Sequence, residues 1–368
     1  MSTAMRERFG SPRVLPAINS QIFGREVSKL YLRPNPDSDG SIPSAGPHYC
    51  CPDIWPAGTQ AIANYQTVLA GNDPMYGYRQ ESPNGVTLNV DNYIYVRAKN
   101  GATTTQTKFV RMYYAESAII QWPAEWVGNA LYTDDKSDQN NLSAPAGAVA
   151  VAERPFYWPR VPPPQSGNHY CLFAQINDND NSNPFPDVTS PLDLGKFIQN
   201  NLGWGQRNVQ PVDTTTPTWQ YAQPLTIAQN IPKQYKYTVY AQATGYIGWS
   251  VAFSCSQTDD TGQQIALATT RIQQDGAIHG VDALLSPGFA SMLTLYMYNT
   301  DGTPAATGAN VDVGVTYTPD GSEIDAAISA GAVDWKLSHG LARQRAGRFD
   351  LTPQPVVPIG SYTYKAQG

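Results

Sequence analysis

Four histidines, His48, His169, His279 and His339, are the only imidazoles in this 368-residue chain. None stands at a spacing that organises catalysis. There is no G-x-S-x-G elbow, no H-E-x-x-H pair, no phosphate-cradling glycine loop and no dinucleotide fingerprint. A triad assembled from distant positions would need His169 or His279 to meet a carboxylate in a deep pocket. His169 falls inside an expected strand, and His339 lies among basic residues. These positions read as structural and surface, and the chain is expected to be no enzyme.

The best candidate metal ligands lie at Asn177-Asp-Asn-Asp-Asn-Ser-Asn183, with Asp187 close behind. Asp178, Asp180 and Asp187 offer the hard oxygens that Ca²⁺ takes in sets of about 6–8. The stretch lacks the glycine and the final glutamate of an EF-hand, and Asn and Asp are also ordinary loop formers. A calcium loop and a plain solvated loop both fit; no other cofactor is expected. The four cysteines, Cys50, Cys51, Cys171 and Cys255, do not have zinc spacing. They read as free, buried thiols; a Cys51–Cys171 bridge would need an oxidising compartment.

Two other groups point to binding. Trp55, Tyr76, Tyr78, Trp158 and Trp204 fall in or beside expected loops, where exposed rings stack on sugars or fill protein interfaces. The alternative is that they cover sheet edges and seams. Lys336–Arg348 carries Arg343, Arg345 and Arg348 with no acidic residue. It reads either as a solvated helix end or as a dock for an acidic neighbour, including another copy of this chain. The formal net charge of −6 argues against nucleic acid as a partner.

The elements that must position these residues are mostly strands. Charged residues make up only 15% of the chain, while Tyr, Pro and Gly are plentiful, a composition that suits turns and flat polar faces. Tyr93–Ala98 and Lys108–Tyr114 alternate apolar and polar residues with the period of a half-buried strand. Asn100-Gly101 between them suits a hairpin turn. Residues 1–45 read as a Pro-rich extended arm, 46–212 as an Ig-like β-sandwich, and 219–319 as a second sandwich. Residues 213–218 are the expected linker between them. Residues 320–368 read as one helix, over 323–337, followed by an arm broken by Pro353, Pro355 and Pro358. The fold class is thus all-β: two sandwich domains, Ig-like or jelly-roll-like, with arms at both ends and one short C-terminal helix.

Six pieces of the first domain, in order, carry a resemblance: Pro36–Gly40 (PDSDG), Cys51–Ile54 (CPDI), Asn92–Asn100 (NYIYVRAKN), Gln121–Trp126 (QWPAEW), His169–Ile176 (HYCLFAQI) and Asn200–Val209 (NNLGWGQRNV). Together they resemble the CARDB-type, cell-adhesion-related Ig-like module of large bacterial secreted and surface proteins. The resemblance implies an Ig-like fold and an adhesive or structural role, and it carries no catalytic residue. Cys51 departs from that pattern, which has serine there.

The expected function is a non-catalytic structural subunit that assembles with copies of itself into an oligomer, filament or particle through its sandwich edges and terminal arms. The alternative is a secreted or surface-presented binding module, such as an adhesin, toxin accessory or lectin-like protein, that uses the loop aromatics and calcium to hold proteins or glycans. The first residues lack the apolar core of a Sec signal, and no run is long enough to cross a membrane. The chain is therefore expected to be made in the cytoplasm and to reach an extracellular site or a particle by a non-Sec route.

Overall fold

A computed structural model describes residues 25–26, 29–44, 46–126, 128–165, 169–178, 183–213, 216–346 and 353–367. The first half runs through β1 (Arg25–Glu26), β2 (Leu30–Tyr31), β3 (Ser41–Ile42), β4 (Ile54–Gly58), α1 (Tyr65–Ala70), β5 (Asn92–Asn100), β6 (Gln106–Glu116), β7 (Ala130–Thr133), β8 (Asn140–Ala144), β9 (Val149–Val151), β10 (Phe156–Trp158), β11 (Tyr170–Asn177), α2 (Pro191–Asn200) and β12 (Trp204–Arg207). The second runs through β13 (Val209–Asp213), β14 (Thr218–Thr226), β15 (Tyr235–Thr244), β16 (Ser250–Thr258), β17 (Gln264–Arg271), β18 (Ala277–Leu285), β19 (Ala290–Tyr298), β20 (Asn310–Tyr317), α3 (Ser322–Ser329), α4 (Trp335–Ala346) and β21 (Val357–Gln367). The protein is all-β, with sheets in a sandwich-like arrangement and few helices.

In the first half, pairing runs β12-β11-β6-β7-β10-β5-β2, with β4 and β9 added to β5 and β8 added to β6. The alternating runs at 93–98 and 108–114 do form β5 and β6, but not a hairpin. β5 pairs with β2, β4, β9 and β10, and β6 with β7, β8 and β11. Both strands line one core, β5 with Ile94, Val96 and Ala98, β6 with Val110 and Met112. Asn100 explains the difference. Its buried amide donates to the carbonyls of Thr104, Ala144 and Pro145 at 2.9–3.0 Å. The link is held open as a corner instead of closing as a tight turn.

The second half stacks a five-stranded sheet, β13-β21-β20-β15-β18, on a four-stranded one, β14-β19-β16-β17. Alternate residues such as Tyr237, Val239, Ala241, Leu293, Leu295 and Met297 fill the space between. The expected C-terminal arm is instead β21, an inner strand of this sheet. Tyr362, Tyr364 and Ala366 alternate into the core. Its proline is tolerated for a physical reason. β13 runs beside β21 only from Thr363 onward, so Pro358 has a ladder on one side only, and it sits at a register shift opposite Thr316.

The single helix expected over 323–337 is two helices, α3 and α4. Gly331 adopts φ +66° just past the end of α3, and the amides of Gly331 and Ala332 turn back to the carbonyls of Ile328 and Ala327. Glycine at that position commonly stops a helix. Gln199 and Asn200 of α2 then donate to the carbonyls of Ala332 and Ala330.

The expected division near residue 212 is crossed by the core. β13 belongs to the second sheet, and Ile119, Ile120, Trp122, Leu192 and Leu194 pack into the second core. Asn208 stitches the seam, donating to Ala118 O at 3.1 Å and Ser361 O at 2.9 Å. The N-terminal arm is only partly in view, since residues 1–24, 27–28 and 45 lie outside the described residues. Leu30–Arg33 are buried against the first sandwich, so this stretch is no free arm.

Candidate functional site

The first candidate site grows from the long excursion between β4 and β5. Two arginines and one aspartate, all buried, sit beneath it. Arg33 donates to Asp53 from its backbone at 2.7 Å and from Nη2 at 2.5 Å, and Arg97 Nε lies 3.5 Å from the same carboxylate. Arg97 then spends its terminal nitrogens on backbone. It donates to the carbonyls of Pro52, Leu69, Tyr76 and Gly77 at 3.0–3.1 Å, and to that of Gln80. Burial, with two cations sharing one carboxylate, pushes the Arg97 pKa down to about 10, so it stays charged at neutral pH. Arg207 donates to Ser82 O at 2.6 Å, and Lys365 pairs with Glu81. Together with the loop's own backbone hydrogen bonds, such as Tyr78 N to Gly71 O and Gln80 N to Gly77 O, these side chains fix the loop along its length.

Three of the sequence candidates converge here. Trp55 lies under the Arg97 guanidinium at 4.8 Å, and Tyr78 stacks on Arg33 at 3.7 Å. Tyr76 meets Trp55 edge-on at 6.1 Å. Asp73 Oδ1 accepts from the backbone of Met75 and Tyr76, both at 2.8 Å, a turn that leaves Met75 exposed while Tyr76 packs partly against the cluster around Trp55. The result is a cleft of about 370 Å³ lined by Trp55, Ile62, Val68, Met75 and Tyr76. Met75 on its rim is 65% exposed. This cleft can hold an apolar group.

The second site is a groove of about 910 Å³ between α4 and the β17–β18 corner. Lys336, His339, Gly340 and Arg343 line one wall, and Arg271, Asp275 and His279 line the other. Two glycines let the helix lie close against the strand. A Cβ on Gly340 would lie 2.4 Å from Ile278 Cδ1, and one on Gly280 2.6 Å from Leu341 Cδ2, so a larger residue at either position would push these side chains aside. The strand that carries His279 is not apparent in the sequence, because Gly280 interrupts its alternation. The turn signal at Gln274-Asp275-Gly276 was the available clue to this corner.

The remaining candidates scatter. Trp158 is buried against Tyr114 and Tyr170, and Trp204 within a cluster that includes Tyr113, Trp126 and Phe185. Neither is an exposed platform, because both stand in strands whose inner faces need large rings. Arg343 reaches the groove, but Arg345 is tied to Asp282 and Thr238. Arg348 and Asp180 lie outside the described residues. Asp178 pairs with Lys108, and Asp187 lines a separate hollow beside Trp122 and Phe185. Among the described residues no three His, Cys, Asp or Glu side chains come together as a metal site.

Nucleophiles and bases are poorly placed for chemistry. The four cysteines are free. Burial pushes their thiols up, Cys51 to about 12 and Cys255 to about 11, the opposite of thiolate activation. Burial pushes His48 down to about 4 while its Nε2 meets Ser44 O. His169 meets Tyr362. His279 shares the groove with Asp275, yet its Nε2 has no hydrogen-bond partner among the described residues and Asp275 accepts from Gly245 N.

No family model matches the chain, and no curated protein matches it in sequence. Among solved structures it is similar to the adhesive subunit of the CFA/I fimbria of enterotoxigenic Escherichia coli, with 8% identity and a TM-score of 0.21 over 93% of each chain. It is also similar to red sea bream transglutaminase, with 10% identity and a TM-score of 0.14 over 63% of this chain and 27% of that one. Likenesses this distant leave the function to be read from the chain's own residues.

Proposed function

We propose that this protein is a non-catalytic binding subunit, an all-β scaffold that presents the cleft over residues 55–84 to an apolar group of a partner. The observation that carries this reading is the arginine clamp. Five backbone carbonyls are satisfied by one buried guanidinium, so the loop is held in shape before any ligand arrives, and a pre-formed cleft saves the ordering cost of binding. A glycan array together with a fragment screen by protein-observed NMR tests it. Ligands should shift resonances of residues 60–84, and Met75→Asp should weaken them about tenfold. Hits that cluster elsewhere, or no hit in either screen, would sink the reading.

A second reading, a subunit that assembles with its own copies, is favoured by β17, which has a strand partner on one side only among the described residues. The route through a C-terminal arm is gone, since β21 is built into the sheet. Native mass spectrometry of the full chain separates the two: a single monomer peak at high concentration removes assembly.

A further inference from the structure

We propose that the groove between α4 and β18 docks an extended, acidic peptide segment of a partner protein. The site is independent of the apolar cleft, and its chemistry is different. Lys336, His339, Gly340 and Arg343 stand at i, i+3, i+4 and i+7, one face of α4. Seven residues of helix rise about 10 Å. That matches about three residues of extended chain, at roughly 3.3 Å each. Arg271 and His279 supply the facing wall.

The lining of this groove is mostly cationic, although Lys336 also lies within electrostatic reach of Asp312 and Asp334. Asp275 is the one carboxylate among its lining residues, and its Oδ1 already accepts from Gly245 N at 2.6 Å. Arg271, Lys336 and Arg343 form no ion pair among the described residues. Their neighbours show the contrast: Lys236 and Arg345 both pair with Asp282. A chain with a net charge of −6 thus gathers three cations without a direct ion pair among the described residues, and two imidazoles, in one concave surface. His279 adds a buried, unpartnered Nε2 to the wall. Carboxylates at every second residue of a strand would face these cations, while the groove's apolar floor at Ala277 and Ile278 takes the residues between. A long polyanion such as nucleic acid would meet the acidic surface on leaving so short a patch.

The test is fluorescence anisotropy on the full-length protein with a labelled peptide that alternates Glu and Val, and with the same peptide carrying Gln for Glu. The Glu peptide should bind, and the Gln peptide should bind at least about tenfold more weakly. Raising salt from about 20 to about 200 mM should weaken binding several-fold. Lys336→Glu with Arg343→Glu should lose binding about tenfold or more. Both side chains are exposed, so an unchanged circular dichroism melt will show that the fold survives. Hydrogen exchange should slow at 271–279 and 336–344 on adding peptide. No binding at low salt, equal binding of the two peptides, or retention by the double variant overturns the proposal. Sedimentation that shows self-association abolished by Lys336→Glu would place a second copy in the groove, and overturns it as well.

Discussion

In the 55–84 cleft the arginines are buried and hold backbone. In the α4–β18 groove they are exposed and form no ion pair among the described residues. Arg97 is fully buried yet serves five carbonyls and shares Asp53 with Arg33. Arg343 is exposed, with no ion pair among the described residues, on a helix face that glycine brings against a strand. The same side chain makes shape in one place and leaves charge on offer in the other. Burial decides which. A desolvated guanidinium is tolerated when it is paired with a carboxylate and its terminal nitrogens are hydrogen-bonded, as in Arg97, while an exposed one loses little by waiting.

The comparison breaks most sharply at Arg97. Arg97→Met leaves the Arg33–Asp53 pair in place but removes the guanidinium that donates to the carbonyls of Pro52, Leu69, Tyr76, Gly77 and Gln80, of which Gly77 keeps the amide of Gln80. Removing one member of a buried charged network costs about 3–5 kcal/mol. Urea unfolding should report a loss of that size, and hydrogen exchange over 60–84 should quicken. Arg97→Lys should not rescue, because an ammonium cannot span five acceptors. A loss below about 1 kcal/mol would mean that the loop is held by something else.

The groove should respond to shape more mildly. Gly340→Val places methyl groups where Ile278 already lies. Overpacking of this kind costs about 1–3 kcal/mol, partly offset by the roughly 0.5 kcal/mol by which valine is a better helix former than glycine. The expected result is a modest drop in stability, a shifted α4 and weaker binding of the acidic peptide, with ligands of the 55–84 cleft unaffected. If both sites lose affinity together, the two regions are coupled and the contrast between them is false.

How much of this was legible depended on whether a residue's role is local. The alternation at 93–98 and 108–114 marked strands, because a half-buried strand writes period two into its own sequence. It could not mark partners, and the corner made by Asn100 with Ala144 and Pro145 lies more than 40 residues away in the chain. Pro353, Pro355 and Pro358 suggested an arm, since nothing in the sequence tells that β21 needs its ladder on one side only at Pro358. The convergence of Trp55, Tyr76 and Tyr78 was visible as a list of aromatics but not as a cluster. What gathers them is Arg33 and Arg97, whose burial beside Asp53 no single-sequence pattern announces. The basic run at 336–348 was legible as charge. Its opposite wall was hidden in a strand interrupted by Gly280.

The smallest effect on stability belongs to Met75, and it sharpens the contrast at the rim of the cleft. Its side chain is 65% exposed, and the turn beneath it is made by Asp73 with the backbone amides of Met75 and Tyr76. Met75→Ser therefore keeps the turn and removes only a rim of apolar surface. Stability should stay within about 0.5 kcal/mol of the original, read from the urea midpoint. Affinity for a cleft ligand should fall, because the exposed thioether is the part of the site that a partner covers. If stability falls by more than about 1 kcal/mol instead, Met75 is packing for the loop itself. The cleft would then be an extension of the arginine clamp, and the search for a binding surface would move to the groove alone.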